Sequence, residues 1–417
     1  MNHFRAFANS VASAARDISR DIQTSFDDNN KGTGRKYEIG SRTVREEKLL
    51  SEGGFGFVYL VRDVITNDPF VIKKILCQDK ERYDLACREV EIFEKLPVHA
   101  NLVKYYGHII EKESRNKEVI ILLEFCPGGH LYDMMQKQNS RVPTNHIIKV
   151  LKDVVGGLVA LQRMDPPVQH RDLKLENVLM SSSGSYVLLD FGSWSSASPD
   201  VSKLSREELM QFGEIVERYT TLMYRPPEMA DLYKGFKISG QVDVWMLGCI
   251  LFTLINNYHP FQNASNLAIV NCRYSFNQDE CKRYPAKLIQ LCAWLLAQNP
   301  VDRPTAQQLV TILNDWDQRL EEPLPLPSSV IERIEKDARL YNIPSMARGV
   351  KTSSSPRQSF KAAAPQTDSS GWGSSPPESE PAGGSWEASF DLLGVAADAS
   401  PAKKQVSATS QLPDLLG

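Results

Sequence analysis

The first thirty residues carry a single apolar stripe. Phe4, Phe7, Val11, Ala14, Ile18, Ile22 and Phe26 recur at spacings of three and four, the period of an amphipathic helix. Asn29-Asn30-Lys31-Gly32-Thr33-Gly34 breaks the pattern, so residues 1–34 read as a helix and linker. From Tyr37 to Leu123 the period shortens to β-branched runs that predict strands, interrupted by one helical stretch from Tyr83 to Leu96 in which Leu85, Ile92, Phe93 and Leu96 share a face. Glu124-Phe125-Cys126-Pro127-Gly128-Gly129 follows, and adjacent glycines suit a junction between two lobes. A larger, mainly helical region then extends to about Leu324. Within it, Asp243-Val244-Trp245-Met246-Leu247-Gly248 predicts a buried helix carrying one acid, and a buried carboxylate must be paired or hydrogen-bonded. Past the prolines at 323, 325 and 327 the composition changes. Residues 325–349 read as a linker with a short helix between Ile331 and Arg348. Residues 350–417 are rich in Ser, Pro, Ala and Gly. They hold too few large apolar side chains to offset the entropy of ordering, which predicts a disordered tail.

Composition changes this picture little. The 417 residues are 42% hydrophobic and 24% charged, ordinary for a soluble protein. A net charge of −3 gives no case for nucleic-acid binding. The seven cysteines are odd in number and form no C-x-x-C pair. With no signal peptide pattern they read as reduced thiols in a cytoplasmic protein rather than as a zinc site. No apolar run reaches the roughly 18 residues of a membrane span. Asn2 and the terminal Asp-Leu-Leu-Gly match neither a myristoylation nor a prenylation signal. The N-terminal stripe leaves three readings: packing on the protein body or self-association, peripheral membrane contact with Arg5, Arg16 and Arg20 beside the apolar face, or a mitochondrial presequence, against which Asp17 and Asp21 argue.

The chemistry is concentrated in two strings. His170-Arg171-Asp172-Leu173-Lys174-Leu175-Glu176-Asn177 is followed, thirteen residues after Asn177, by Asp190-Phe191-Gly192. Phosphoryl transfer needs a group to accept the proton of the attacking hydroxyl, a cation beside the moving phosphoryl and oxygen ligands for magnesium. Asp172, Lys174, and the pair Asn177 and Asp190 supply these. Ser51-Glu52-Gly53-Gly54-Phe55-Gly56-Phe57-Val58 fits a glycine-rich phosphate loop with Ser51 at the first glycine position. Gly53, Gly54 and Gly56 let backbone approach where a Cβ would intrude. Phe70-Val71-Ile72-Lys73 places Lys73 to reach the phosphates, with Ile72 and Val58 beside the nucleotide. Lys74 faces the other way and reads as a solvated charge. Lys73 needs an anion from the following helix. Glu89 and Glu91 both qualify, and Glu89 is preferred because Ile92 and Phe93 flank it on the inward face. Leu123, Glu124, Cys126 and Leu179 complete a nucleotide site whose adenine bonds the backbone between the lobes.

These strings stand in the order found in protein kinases. Thr221, seven residues before Glu228, sits where kinases carry a hydroxyl bonded to the catalytic Asp and Lys, and Arg303 is the expected partner of Glu228. More narrowly, the chain resembles the Numb-associated kinase family, the group with the adaptor-associated and cyclin-G-associated kinases. The likeness rests on Leu50-Ser51-Glu52-Gly53-Gly54-Phe55, Glu124-Phe125-Cys126-Pro127-Gly128-Gly129, Lys174-Leu175-Glu176-Asn177, Asp190-Phe191-Gly192-Ser193 and Tyr219 through Met229. It covers residues 37–320 and fades in the tail. Trp194 departs from it, since the family tends to have a small residue there, as does Pro226 in place of Ala. The resemblance implies an α+β, two-lobed fold over 37–324 with a small β-rich lobe and a larger helical one. It implies ATP and Mg2+ as cofactors and serine/threonine specificity. It also implies an extra helix just after Glu228, from about Ala230 to Lys237, and protein substrates among clathrin adaptor subunits. The tail carries Trp386-Glu387-Ala388-Ser389-Phe390-Asp391 and two Asp-Leu-Leu-Gly strings at 391–394 and 414–417. They are similar to peptides that bind adaptor appendages or clathrin, or else are accidental hydrophobes in a low-complexity segment. The alternative to an active enzyme is a silent kinase-fold scaffold that binds clathrin-adaptor components; none of Lys73, Glu89, Asp172, Lys174, Asn177 and Asp190 has been lost.

Overall fold

A computed structural model describes residues 32–349 except 54–55, 114–115, 138–140 and 263. Gly54, the N-terminal stripe up to residue 31 and the tail motifs lie outside the described residues.

The small lobe is a six-stranded antiparallel sheet in the order β1-β2-β3-β4-β6-β5. Its strands are β1 (Lys36–Ile39), β2 (Arg42–Gly53), β3 (Gly56–Asp63), β4 (Pro69–Cys77), β5 (Tyr105–Glu113) and β6 (Asn116–Glu124). Helix α1 (Lys80–Lys95) crosses between β4 and β5. Asp79 caps it by accepting the Arg82 N–H at 2.8 Å. Its apolar face, Ala86, Val90, Ile92 and Phe93, is buried against the sheet face that carries Val119, Ile121 and Leu123. The opposite face, with Tyr37, Ile39, Val44, Phe70, Ile72, Ile120 and Leu122, forms its own core.

Strand alternation corrects two expectations. Ile72 is fully buried in that outer core, on the opposite face from Lys73, so it does not line the nucleotide cleft. Val71 shares the Lys73 face and takes that place. Lys74 is not a solvated charge. Its ammonium lies 3.1 Å from the Tyr37 hydroxyl and 3.4 Å from Glu46, with the side chain 11% exposed.

The large lobe contains α2 (Leu131–Lys137), α3 (Thr144–Gln162), a short hairpin of β7 (Val178–Met180) and β8 (Tyr186–Leu188), α4 (Arg206–Tyr219), α5 (Pro227–Ala230) and α6 (Gln241–Asn256). After these come α7 (Asn266–Val270), α8 (Gln278–Cys281), α9 (Ala286–Leu295), α10 (Ala306–Asn314) and α11 (Ser328–Leu340). Helix α6 is buried on all sides from Val242 to Asn256, as an apolar helix without a polar stripe must be. The small β-rich lobe and larger helical lobe are those of the two-lobed α+β fold implied by the sequence.

Two segments differ from expectation. The region 325–349, expected as a linker with a short helix, holds α11 from Ser328, and Val330, Ile334, Ala338, Ile343 and Met346 join the main core. Gln290 of α9 donates to the carbonyls of Met346 and Arg348, both at 2.7 Å. The second difference concerns the activation segment. After α5 there is only one 3-10 turn, Leu232–Lys234, closed by Gly235 at φ 69°. The long helix of this segment lies upstream, at α4. It starts at a reciprocal capping box between Ser205 and Glu208, which satisfies two orphan N–H groups at once. Phe212 and Val216 bury its inner face.

Candidate active site

Lys73 on β4 is held from two sides. Its Nζ donates to Glu89 Oε1 and Oε2 at 2.7 and 2.9 Å and to Asp190 Oδ1 at 3.0 Å. Glu91 turns outward and pairs with exposed Lys95 on its own helix. Burial alone would lower the Lys73 pKa, but Asp190 and Glu89 outweigh it and raise it. Burial lifts Glu89 above the ordinary carboxylate range against the pull of Lys73. For Asp190 burial acts upward, yet Lys73 prevails and its pKa is lowered. One ammonium thus holds two carboxylates in place, with the negative charge resting more firmly on Asp190.

The cleft-facing residues of the sheet follow from register. Val58 stands opposite Lys73 across β3 and β4, and Val71 opposite Leu123 across β4 and β6. Ser51 pairs with Val58, and Gly53 with Gly56 at the end of the β2–β3 hairpin. Gly56 has φ +122°, and a Cβ there would lie 1.9 Å from the Lys74 carbonyl oxygen, so glycine is required. At the junction of the lobes, Gly128 packs so closely on Met180 that a Cβ would come within 2.4 Å of it. The Cys126 carbonyl accepts from Gly129 at 3.2 Å. Its N–H makes no hydrogen bond among the described residues, which leaves a donor for an adenine. Leu179, on β7 directly below, is half-buried.

The catalytic loop is braced from beneath. Asp243 of α6 accepts the N–H groups of His170 and Arg171 at 2.9 and 2.8 Å. Arg171 and Asp190 both adopt left-handed backbone, φ 64° in each case. Such conformations cost about 1–3 kcal/mol apiece in non-glycine residues and persist where the surroundings over-determine them. Phe191 helps to do so: it is fully buried, 5.5 Å centroid to centroid from Phe93 of α1 and 5.1 Å from His170. Arg171 is itself buried. It donates to Gln169 Oε1 at 3.0 Å and to the Ala197 carbonyl at 2.7 Å, with its guanidinium over Phe212 of α4.

Above this brace three side chains meet. Asp172 Oδ1 accepts from Thr221 Oγ1 at 2.7 Å and from the Thr221 N–H at 3.1 Å. Asp172 Oδ2 accepts from Lys174 Nζ at 2.7 Å, and Lys174 also donates to Thr221 Oγ1 at 3.1 Å. Asn177 Nδ2 donates to the Asp172 carbonyl at 2.8 Å. That orients the amide and leaves its Oδ1 with no hydrogen bond among the described residues. An amide oxygen and an ionised carboxylate, Asn177 and Asp190, are the hard oxygen donors that Mg2+ selects, so the residues present fit that ion. Bound there, it would offset charge on the phosphates of ATP.

Sequence reasoning thus named the groups the structure gathers around Lys73 and around Asp172. It missed Val71, whose signal was the two-residue step to Lys73, and Trp194, which turned out to be buried.

Comparison with known proteins agrees with this geometry. Among curated proteins the chain is similar to a probable serine/threonine-protein kinase of Dictyostelium discoideum, 35% identical over 76% of this chain and 40% of that protein. It is similar to the serine/threonine-protein kinase ppk30 of Schizosaccharomyces pombe, 34% identical over 70% of this chain and 30% of that protein. It is also similar to the serine/threonine-protein kinase AKL1 of Saccharomyces cerevisiae, 30% identical over 65% of this chain and 26% of that protein. The matched region spans well under half the length of these relatives. Residues 44–313 match the protein kinase domain. That stretch contains the glycine loop, the lysine–glutamate pair, the catalytic loop and the braced activation segment, and the chain belongs to the protein kinase family.

Proposed function

We propose that the chain is a serine/threonine protein kinase that transfers the γ-phosphoryl group of ATP, with Mg2+, to hydroxyls of protein substrates. The observation that carries this is the Asp172–Lys174–Thr221 cluster, set beside Lys73 in its ion pair with Glu89 and Asp190. Asp172 orients the acceptor hydroxyl and takes up its proton. Lys174, already fixed by Asp172 and Thr221, presents its ammonium where charge develops on the transferred group. Lys73 holds the phosphates of the nucleotide, and Glu89 keeps Lys73 from turning away. The relatives' names agree with this activity. The test is incubation of the purified chain with Mg-ATP and peptides carrying Ser, Thr or Tyr as sole acceptor; incorporation on Ser or Thr alone is expected, and transfer to Tyr alone overturns the specificity.

The finer reading places the enzyme in the Numb-associated group, acting on clathrin-adaptor or other trafficking proteins. Its support is the string likeness through Tyr219 to Met229 together with the tail anchors Trp386, Phe390, Leu392, Leu393, Leu415 and Leu416. Linked weak anchors gain effective concentration on a multivalent coat, and the amphipathic N-terminal stripe would add peripheral membrane contact. Adaptor or clathrin capture that is unchanged when all six anchors become Ala would refute this part and leave the kinase assignment untouched.

A further inference from the structure

Two carboxylates on separate segments hold Lys73, and both segments meet again at Trp194. Glu89 rides on α1, immediately after Arg88. Asp190 rides on the turn that leads to Trp194, whose N–H donates to the Phe191 carbonyl at 3.2 Å. The Trp194 side chain is 7% exposed. Its indole Nε1–H donates to the Arg88 carbonyl at 3.0 Å. In return the Arg88 guanidinium lies 5.4 Å from the indole ring and donates to the Trp194 carbonyl at 3.5 Å. The circuit closes from Lys73 through Glu89, α1, Arg88, Trp194 and the Asp190 turn back to Lys73.

A second contact reaches the same face of α1. Glu81 precedes Arg88 by seven residues, two helical turns, so the two share a face. Glu81 receives Arg218 and, at 3.3 Å, the Tyr219 hydroxyl, both from the end of α4. Ser193 ties the two contacts together by donating to the Tyr219 carbonyl. They are unequal in strength. Arg218 and Glu81 are more than half exposed, and such surface pairs contribute little. Trp194 is itself buried and its bond to Arg88 partly so, and a buried donor left unsatisfied is costly. The indole also borders a cleft of about 830 Å3 with Ile92, Lys95, Val159 and Met164, so its orientation is fixed by the hydrogen bond and not by enclosure alone.

We propose that Trp194 is a positioning residue that sets the register of α1 against the Asp190 segment and thereby holds Glu89 on Lys73. This rests on the kinase reading above for its consequence in turnover, though not for its consequence in α1. A phenylalanine at 194 keeps an aromatic ring and removes the N–H donor.

The experiment compares the full chain with Trp194→Phe, Glu89→Gln and the double variant. Measured are KM for ATP and kcat/KM on a Ser/Thr peptide, hydrogen exchange of the α1 amides, and thermal unfolding as a check on folding. For Trp194→Phe the loss of one partly buried hydrogen bond gives a roughly five- to ten-fold fall in kcat/KM, carried by KM for ATP, with faster α1 exchange and an unfolding midpoint close to wild type. In the Glu89→Gln background the same substitution changes kcat/KM less than about two-fold, since its target is gone. A general packing role gives equal effects in both backgrounds and overturns the proposal. So does wild-type α1 exchange in Trp194→Phe. If the wild type phosphorylates no peptide, the kinase reading fails while the exchange comparison still decides the role of Trp194. Should Trp194→Phe not fold, Trp194→Met also lacks the N–H donor and is judged by the same two outcomes.

Discussion

Arg303 and Glu228 form two hydrogen bonds, Nη1 to Oε1 at 2.6 Å and Nη2 to Oε2 at 2.7 Å, and neither side chain has any solvent exposure. The Arg303 Nε also donates to the Ala297 carbonyl at 2.8 Å, and Nη1 to the Gln241 carbonyl at 2.9 Å. The pair fastens the end of the activation segment to the base of α6. Removing one partner strands a buried charge, at a cost of about 3–5 kcal/mol. Arg303→Ala is therefore expected to lower the unfolding free energy by that amount, read as a lower denaturant midpoint, and an unchanged midpoint would show that the pair does not hold the segment.

Thr221 links Asp172 to Lys174 through its hydroxyl. Thr221→Val keeps the shape and deletes the three-way contact, so kcat should fall about ten-fold or more while KM for ATP stays within about two-fold, as expected for a group that touches no nucleotide. Thr221→Ser should recover most of the rate. Steady-state kinetics on one peptide measure both.

Glu89 and Glu91 differ in burial, 4% exposed for Glu89 against an exposed Glu91. Glu91→Ala is expected to change stability by less than about 0.5 kcal/mol, with activity intact. Glu89→Gln should lower kcat/KM at least ten-fold. The pH dependence has a definite sign. Burial raises the folded pKa of Glu89 above its usual 4.5, so the folded state binds that proton more tightly. Its contribution to stability is full below the unfolded value and is lost as pH rises through the raised one. The ion pair with Lys73 needs the ionised form, so activity runs the opposite way. It should fall on acidification at a pH above 4.5, in the same direction in which protonation of this group adds to the stability of the fold. In Glu89→Gln the acid limb of kcat/KM should move to lower pH.

Much of this architecture could be read from residue order. The period change at Tyr37, the single helix before the Glu124 to Gly129 junction and the solid apolar run of α6 are local signals. Local signals survive in any context. Glu89 could be separated from Glu91 because Ile92 and Phe93 mark the inward face. Three features depended on tertiary placement. Lys74 looks like a surface charge until β1 brings Tyr37 over it and β2 brings Glu46. Ile72 looks like a cleft residue until the face of β4 is fixed. The segment 328–347 looks like a spacer with one short helix because α11 carries many charges, and its apolar positions gain meaning only against α9. Helix α4 was legible and overlooked, with Ser205 three residues before Glu208 and Leu209, Phe212 and Val216 following at helical spacing.

Helix α11 should therefore matter to folding. Ile334 is fully buried in the main core, and trimming such a side chain to Ala costs about 2–5 kcal/mol. Ile334→Ala should lower the unfolding free energy by that amount, and a chain ending at residue 324 should unfold well below the chain ending at 349. Equal midpoints for the two truncations would make the segment dispensable.

The central claim is that Asp172 serves the acceptor hydroxyl while Asp190 serves the nucleotide and its metal. The most direct measurement sets single-turnover phosphorylation of one Ser/Thr peptide beside Mg-ATP affinity for the wild type, Asp172→Asn and Asp190→Asn. The account predicts transfer by the wild type. For Asp172→Asn it predicts near-normal Mg-ATP affinity with a rate lowered by a factor of about 10²–10⁴. For Asp190→Asn it predicts weakened Mg-ATP binding and no detectable transfer, because an amide cannot supply the anionic metal ligand. Near-normal turnover by Asp172→Asn, or undiminished Mg-ATP affinity and transfer in Asp190→Asn, would contradict it.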